Sequence, residues 1–248
     1  MNIPADGCEV NVTVVNKKIP EKPVITKKPE ISEKPEIPKT GDRTKLWIPL
    51  LVMIISGISG IGKSTLMKLL LGVIHPEEGK IYLEMQNGEK VFAGKHIRQL
   101  FSYVPQGNLL MSGTIKDTVS MIGENISEEE IEKAAEVACA ADFIKQLPNG
   151  LETVIGEKGA GLSEGQVQRL AVMRAVLSKA PIILLDEATS ALDEETEEKL
   201  LANIKNLKNK TCILISLKKA AYSICEKELK IEDKKIYLNK IGDEQNEG

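Results

Sequence analysis

Gly57-Ile58-Ser59-Gly60-Ile61-Gly62-Lys63-Ser64-Thr65 is the stretch on which the reading of this 248-residue chain turns. It has the form G-x-x-x-x-G-K-[ST], in which glycines let the backbone curl around a phosphate chain with its N–H groups pointing inward. The apolar run Leu50–Ile55 before it reads as a buried strand, and Lys63–Leu71 after it carries helical residues. Strand, loop and helix in that order set the positive end of a helix dipole against the phosphates. Lys63 is then expected to reach the β- and γ-phosphates of a nucleotide, and Ser64 to offer its hydroxyl to Mg2+. Gly57, Ser59, Gly60, Gly62 and Thr65 complete the expected cradle. The competing reading is a glycine-rich turn that does no more than start a helix.

Downstream, strands and helices alternate, as a parallel sheet flanked by helices requires. Ile182–Leu185 and Cys212–Ile215 read as two further buried strands, with Glu194–Leu207 as the helix between them. The strand in Pro181–Glu187 ends in two carboxylates, which puts both at the sheet's C-terminal edge, where open α/β folds bind ligands. Asp186 is suited to hold Mg2+ through water, and Glu187 to polarise an attacking water as general base. Taken alone, the pair also fits an ordinary strand end with solvated acids. Gln86-Asn87-Gly88-Glu89 carries a hairpin turn, and a last hairpin is expected to join Leu229–Glu232 to Lys235–Leu238. Ser127 and Glu130 form a capping box that opens a helix running toward Ala141.

Leu162-Ser163-Glu164-Gly165-Gln166 resembles the signature L-S-G-G-Q of ABC transporter ATP-binding domains, with Glu at the third position. Tyr103-Val104-Pro105-Gln106 resembles that family's Q-loop and Ser190-Ala191-Leu192-Asp193 its D-loop, in family order, and Glu157-Lys158-Gly159 precedes the signature as it does there. The stretches Asn108–Ile115 and Gln146–Gly150 are more similar to exporter-type domains than to importer ones. The resemblance spans about residues 50 to 240. It implies a P-loop NTPase (RecA-like) α/β fold with a mostly parallel sheet, a helical signature subdomain at about residues 107–178, and an antiparallel β subdomain. It further implies ATP and Mg2+ as ligands, with Gln106 touching Mg2+ and the lytic water. Ser163, Gly165 and Gln166 would face the ATP of a second nucleotide-binding domain in a homodimer or heterodimer, and Asp193 would order the seam. A transmembrane domain is the other implied partner, which places the chain at the cytoplasmic face of a membrane. Ser163 and Gln166 also fit a plain capping box.

Two features depart from the family. A switch histidine should follow the strand Cys212–Ile215, where this chain has Ser216-Leu217-Lys218. Leucine offers no donor to a γ-phosphate, and losing one such preorganised donor typically costs on the order of 10²–10³ in rate. Slow hydrolysis is therefore expected, and a degenerate nucleotide-binding regulatory subunit with negligible turnover is the alternative. The family also places an aromatic residue well upstream of the phosphate loop to stack on adenine. No Phe, Trp or Tyr occurs between Met1 and Leu46, and Trp47 is too close to the loop, so the antiparallel subdomain reads as truncated.

Residues 1–45 are of different material. Seven of the eleven prolines fall in the first 49 residues, and nine basic against five acidic residues from Lys17 to Lys45 give a local charge of +4. Lys-Pro and Pro-Glu units favour solvated, extended backbone, so a disordered tail is expected ahead of a domain over 46–248. Ile37-Pro38-Lys39-Thr40-Gly41 resembles a sortase anchoring signal, but 207 residues follow Gly41, and the apolar run after it is broken by Pro49, Gly57 and Gly60. A fusion or mis-assembled reading frame accounts for that placement better than a working anchor. The net charge of −3 argues against a general nucleic-acid binder. Cys8, Cys139, Cys212 and Cys225 lie far apart without a C-x-x-C pair, which reads as reduced structural thiols, Cys139 within a helix and Cys212 in a strand, rather than a zinc site. No secretory signal is read at the N-terminus.

Overall fold

Val52–Gly57 forms a strand, β1, and Lys63–Leu70 a helix, α1, in the computed structural model of the chain. The structure describes residues 52–57, 63–76, 81–84, 90–107, 110–123, 126–208, 210–216, 218–232 and 235–241. The Pro/Lys-rich segment with its IPKTG motif, the Asn87-Gly88 turn and Leu217 lie outside the described residues. β1 ends later than the apolar run Leu50–Ile55 suggests, and Leu50 and Leu51 lie outside the described residues. Its pairing explains the end: a neighbouring strand holds Ser56 and Gly57 in register opposite Lys230 and Ile231.

Two compact units divide the chain, one containing Lys68–Arg98 and the other Ile48–Met67 with Gln99–Gly248. In the smaller, β2 (Tyr82–Glu84) pairs antiparallel with β3 (Lys90–Phe92), as the hairpin reading requires. The Tyr82 and Phe92 rings meet edge to face at 6.0 Å, and Lys90 Nζ lies 4.5 Å from the Tyr82 ring centroid. Gly72, at φ +59°, passes so close to Gly94 that a Cβ there would stand 2.8 Å from its backbone. Arg98 donates to the Leu71 and Gly72 carbonyls at 3.0 and 2.9 Å.

The larger unit continues with β4 (Phe101–Val104), β5 (Gly113–Thr114), α2 (Ile115–Ser120), α3 (Glu128–Val137), α4 (Ala141–Gln146) and β6 (Val154–Ile155). Then come α5 (Glu164–Leu177), β7 (Ile182–Asp186), α6 (Glu194–Lys205), β8 (Thr211–Ile215), α7 (Lys219–Ile224), β9 (Lys227–Glu232) and β10 (Lys235–Lys240). Among the described residues six strands make one sheet in the order β10-β9-β1-β8-β7-β4. All neighbours are parallel except β10, which closes the edge as the expected final hairpin. Every residue of β7 and β8 is buried, the burial expected of parallel strands covered on both faces.

The four helices α2–α5 fill the chain between β4 and β7. Buried residues on α5 include Val167, Gln168, Leu170, Ala171, Val172, Met173 and Ala175, which is too wide a set for a surface helix and makes α5 the element the others pack around. The capping box at Ser127 and Glu130 is formed, but α3 stops at Val137 instead of reaching Ala141. Cys139 is therefore not helical: it turns the chain at φ +53°, with the Ala140 N–H reaching back to the Ala135 carbonyl at 2.7 Å. Arg169 on α5 holds that turn through the Cys139 carbonyl at 2.7 Å, while its guanidinium lies 4.7 Å from the Phe143 ring centroid. α6 ends at Lys205, short of Leu207. Among the described residues no helix is long and apolar enough to cross a membrane.

Candidate nucleotide-binding site

Register brings the sequence-predicted groups to one edge. Ile55 of β1 is level with Ile215 of β8, and Ile215 with Asp186 of β7. Because these strands are parallel, Gly57, the segment after Ile215, and the Asp186–Glu187 pair all emerge at the sheet's C-terminal side, the edge at which open α/β folds bind ligands. Ser59, Gly60 and Gly62 of the expected cradle lie outside the described residues. Lys63, Ser64 and Thr65 make up the first turn of α1, with Thr65 exposed.

Lys63 is only 4% exposed. Burial pushes its ammonium pKa down, and the negative charges of Glu187 and Asp186 pull it back up. A buried cation at a helix start suits a polyanion. Asp186 is buried at 5% and accepts a hydrogen bond through Oδ2 from the Tyr103 hydroxyl at 3.0 Å. Burial, then the charge of Asp186 and this bond, raise the Tyr103 phenol pKa to about 12. Glu187 stands just past β7 with φ +51°, its N–H donating to the Ile215 carbonyl at 3.0 Å. Gln106 donates through Nε2 to Glu187 Oε2 at 2.6 Å. Lys63, Asp186, Glu187 and Gln106 thus form one cluster of charge and hydrogen bonds.

The donor set fits Mg2+ in kind. Mg2+ prefers oxygen and is normally held by one or two carboxylates together with substrate phosphates. Among the described residues no group of three or more His, Cys, Asp and Glu is arranged to hold a metal by protein alone.

Ser163, Gly165 and Gln166 sit at the start of α5. Ser163 Oγ accepts from the Gln166 N–H at 3.2 Å, and Gln166 Oε1 accepts from the Ser163 N–H at 2.9 Å. Among the described residues no hydrogen bond or ion pair joins Ser163 or Gln166 to Lys63, Asp186 or Glu187. Gly165 packs on the Thr189–Asp193 loop, where a Cβ would stand 3.0 Å from the Ala191 carbonyl oxygen. Asp193 caps α6, its Oδ1 accepting from the Thr196 N–H at 2.8 Å, and that bond lowers its carboxyl pKa.

The contacts of Tyr103 and Gln168 were not anticipated from sequence. Tyr103 was read only as part of a Q-loop pattern, and its bond to Asp186 spans 83 residues. Gln168 holds Ser190 Oγ and the Ala191 N–H at 3.0 Å each. No local signal singles it out, since α5 also carries Glu164, Gln166, Arg169 and Arg174.

Together, the phosphate-loop motif and the parallel sheet that aligns it with an acidic strand end define the class of P-loop NTPases. A sequence model of the family described as ABC transporter matches residues 51–190, and the chain belongs to that family. It is an ATP-binding domain of the exporter type. An ATP-dependent lipid A-core flippase of Photorhabdus laumondii is 40% identical over 184 residues, covering 73% of this chain and 32% of that protein. An ABC transporter ATP-binding protein of Bacillus subtilis, YfiB, is 43% identical over 160 residues, covering 64% of this chain and 28% of its own length. Among solved structures, that of a bacterial Atm1-family ABC exporter with ATP bound superposes with a TM-score of 0.69 at 32% identity, covering 77% of this chain and 33% of that one. The chain therefore spans about a third or less of each relative.

Proposed function

We propose that this chain binds Mg-ATP at its own Lys63 loop, hydrolyses it slowly, and couples that cycle to export through a transmembrane partner on the cytoplasmic side of a membrane. The observation that carries the reading is the cluster itself: a buried Lys63 facing Asp186 and Glu187, with Glu187 held by Gln106 at 2.6 Å. In this reading Lys63 neutralises the β- and γ-phosphates, Ser64 and Asp186 hold Mg2+ with Gln106 beside it, and Glu187 takes the proton of the attacking water. Mg2+, when bound, withdraws charge from the phosphate oxygens. Ser163, Gly165 and Gln166 of this chain face the nucleotide bound by a second nucleotide-binding domain, the same chain or a cousin, and Asp193 lies at the seam. The proline-rich N-terminal segment plays no part in this chemistry. Its sortase-like motif, with 207 residues after it, fits a fusion or a mis-assembled reading frame.

A regulatory subunit with negligible turnover is the second reading, favoured by Leu217 at the position of the switch histidine. Phosphate release by the purified chain separates the two. Glu187→Gln is expected to lower release severely while ATP is still retained, and Lys63→Ala to abolish retention in a folded sample. Equal release by the parent and Glu187→Gln proteins would leave only the regulatory reading standing, and undiminished retention by Lys63→Ala would remove both.

A further inference from the structure

The segment after β8 makes an ionic contact that the nucleotide site does not use. Lys218 Nζ lies 2.9 Å from Glu197 Oε2 on α6 and donates to the carbonyls of Thr189 at 3.0 Å and Leu192 at 3.2 Å. The Glu197 side chain is 2% exposed, and its other oxygen accepts from the Thr189 hydroxyl at 2.6 Å. A carboxylate so deeply buried is tolerated only when paired and hydrogen-bonded. Lysine has three donors, and here all three are engaged. Lys218 is thus poorly placed to stand in for the missing switch histidine beside a γ-phosphate, although it is the next residue in the chain.

What it holds is the loop that issues from the catalytic strand. Thr189 follows two residues after Glu187, whose left-handed φ of +51° is strained for a residue with a side chain and persists only where its surroundings over-determine it. The Glu187 N–H is bound to the Ile215 carbonyl, and its own carbonyl accepts from the Ser190 N–H at 3.1 Å. From the other side, Gln168 and Gly165 of α5 grip Ser190 and Ala191. The Lys218 N–H donates to Ser216 Oγ at 3.1 Å, a local bond at the end of β8. The loop is clamped between the signature helix and Lys218.

We propose that Lys218, acting through Glu197 and the Thr189 and Leu192 carbonyls, is a positioning residue for ATP hydrolysis that sets the Glu187–Asp193 loop. This rests on the reading of Glu187 as the base. The test measures kcat and KM for Mg-ATP, melting temperature, and hydrogen exchange of peptides covering residues 187–193 in the 248-residue chain. The variants are Lys218→Met, Lys218→Arg and Lys218→Met combined with Glu197→Gln. Lys218→Met is expected to lower kcat by on the order of 10- to 100-fold with little change in KM, and to speed exchange in the loop. Lys218→Arg, which keeps the charge and several donors, recovers part of both. Glu197→Gln removes the orphaned buried charge, so the double variant regains melting temperature but not turnover, because the carbonyl anchors are still gone. Parent turnover and exchange in a folded Lys218→Met protein, or their recovery in the double variant, overturn the proposal alone. Absence of Glu187-dependent phosphate release in the unsubstituted chain overturns both it and the reading beneath it.

Discussion

Tyr103 shows how one hydroxyl ties the candidate metal carboxylate to the neighbouring strand. Its phenol stays a neutral donor to about pH 12, so the bond to Asp186 persists across the range in which the protein works. A hydrogen bond to a charged group contributes about 1.5–3 kcal/mol, and partial exposure of the ring puts this one at the lower end. Tyr103→Phe is expected to lower the urea unfolding free energy by about 1–2 kcal/mol. It should also raise the Mg2+ concentration needed for half-maximal turnover, and a Mg2+ titration matching the parent would show the contact to be idle. At position 217 the expectation runs the other way. On the proposed reading, Leu217→His supplies a donor that leucine lacks and should raise turnover several-fold with little change in nucleotide affinity. An unaltered turnover number in the purified protein would count against the expectation that a leucine at position 217 slows hydrolysis.

The helix starts and the helix ends obey different rules. The capping boxes of α3 and α5 are read directly from Ser127/Glu130 and Ser163/Gln166, because each is complete within four residues. The ends were not legible. No Gly marks the stop of α3, and the turn at Cys139 depends on Arg169, 30 residues away. The end of α5 is held by a distant group too: Lys210 donates to the Ser178 and Ala180 carbonyls, the latter at 3.1 Å. Burial lowers the Lys210 pKa from 10.5 to about 8. A lysine with a depressed folded pKa releases its proton in the native state first, so the unfolded state binds more protons between those two values. Lys210 therefore makes stability rise as pH goes from about 8 to 10.5. Chemical denaturation across that window should show the rise, and Lys210→Met should flatten it. A parallel slope in both proteins would mean that another group titrates.

The sheet gathers residues 57, 186, 187 and 215 to a single edge, so a ligand there braces β1, β7 and β8 together. Mg-ATP at 100 times its dissociation constant is expected to stabilise the fold by about 2.7 kcal/mol. Lys63→Ala should abolish that gain in a thermal melt, and a persisting shift would place the nucleotide elsewhere. The acidic strand end, the capped helix start at Ser163 and the alternation of strands and helices were legible in the amino-acid order, because each is a pattern of near neighbours. Tertiary structure alone decided that β1 runs on to Gly57, because β9 offers partners there that no local run announces. It alone joined Tyr103 to Asp186, Gln106 to Glu187 and Lys218 to Glu197, contacts between residues 83, 81 and 21 positions apart. Such pairs depend on strand order and register, and those are settled by burial and backbone pairing across the whole sheet, which a local reading of sequence does not contain.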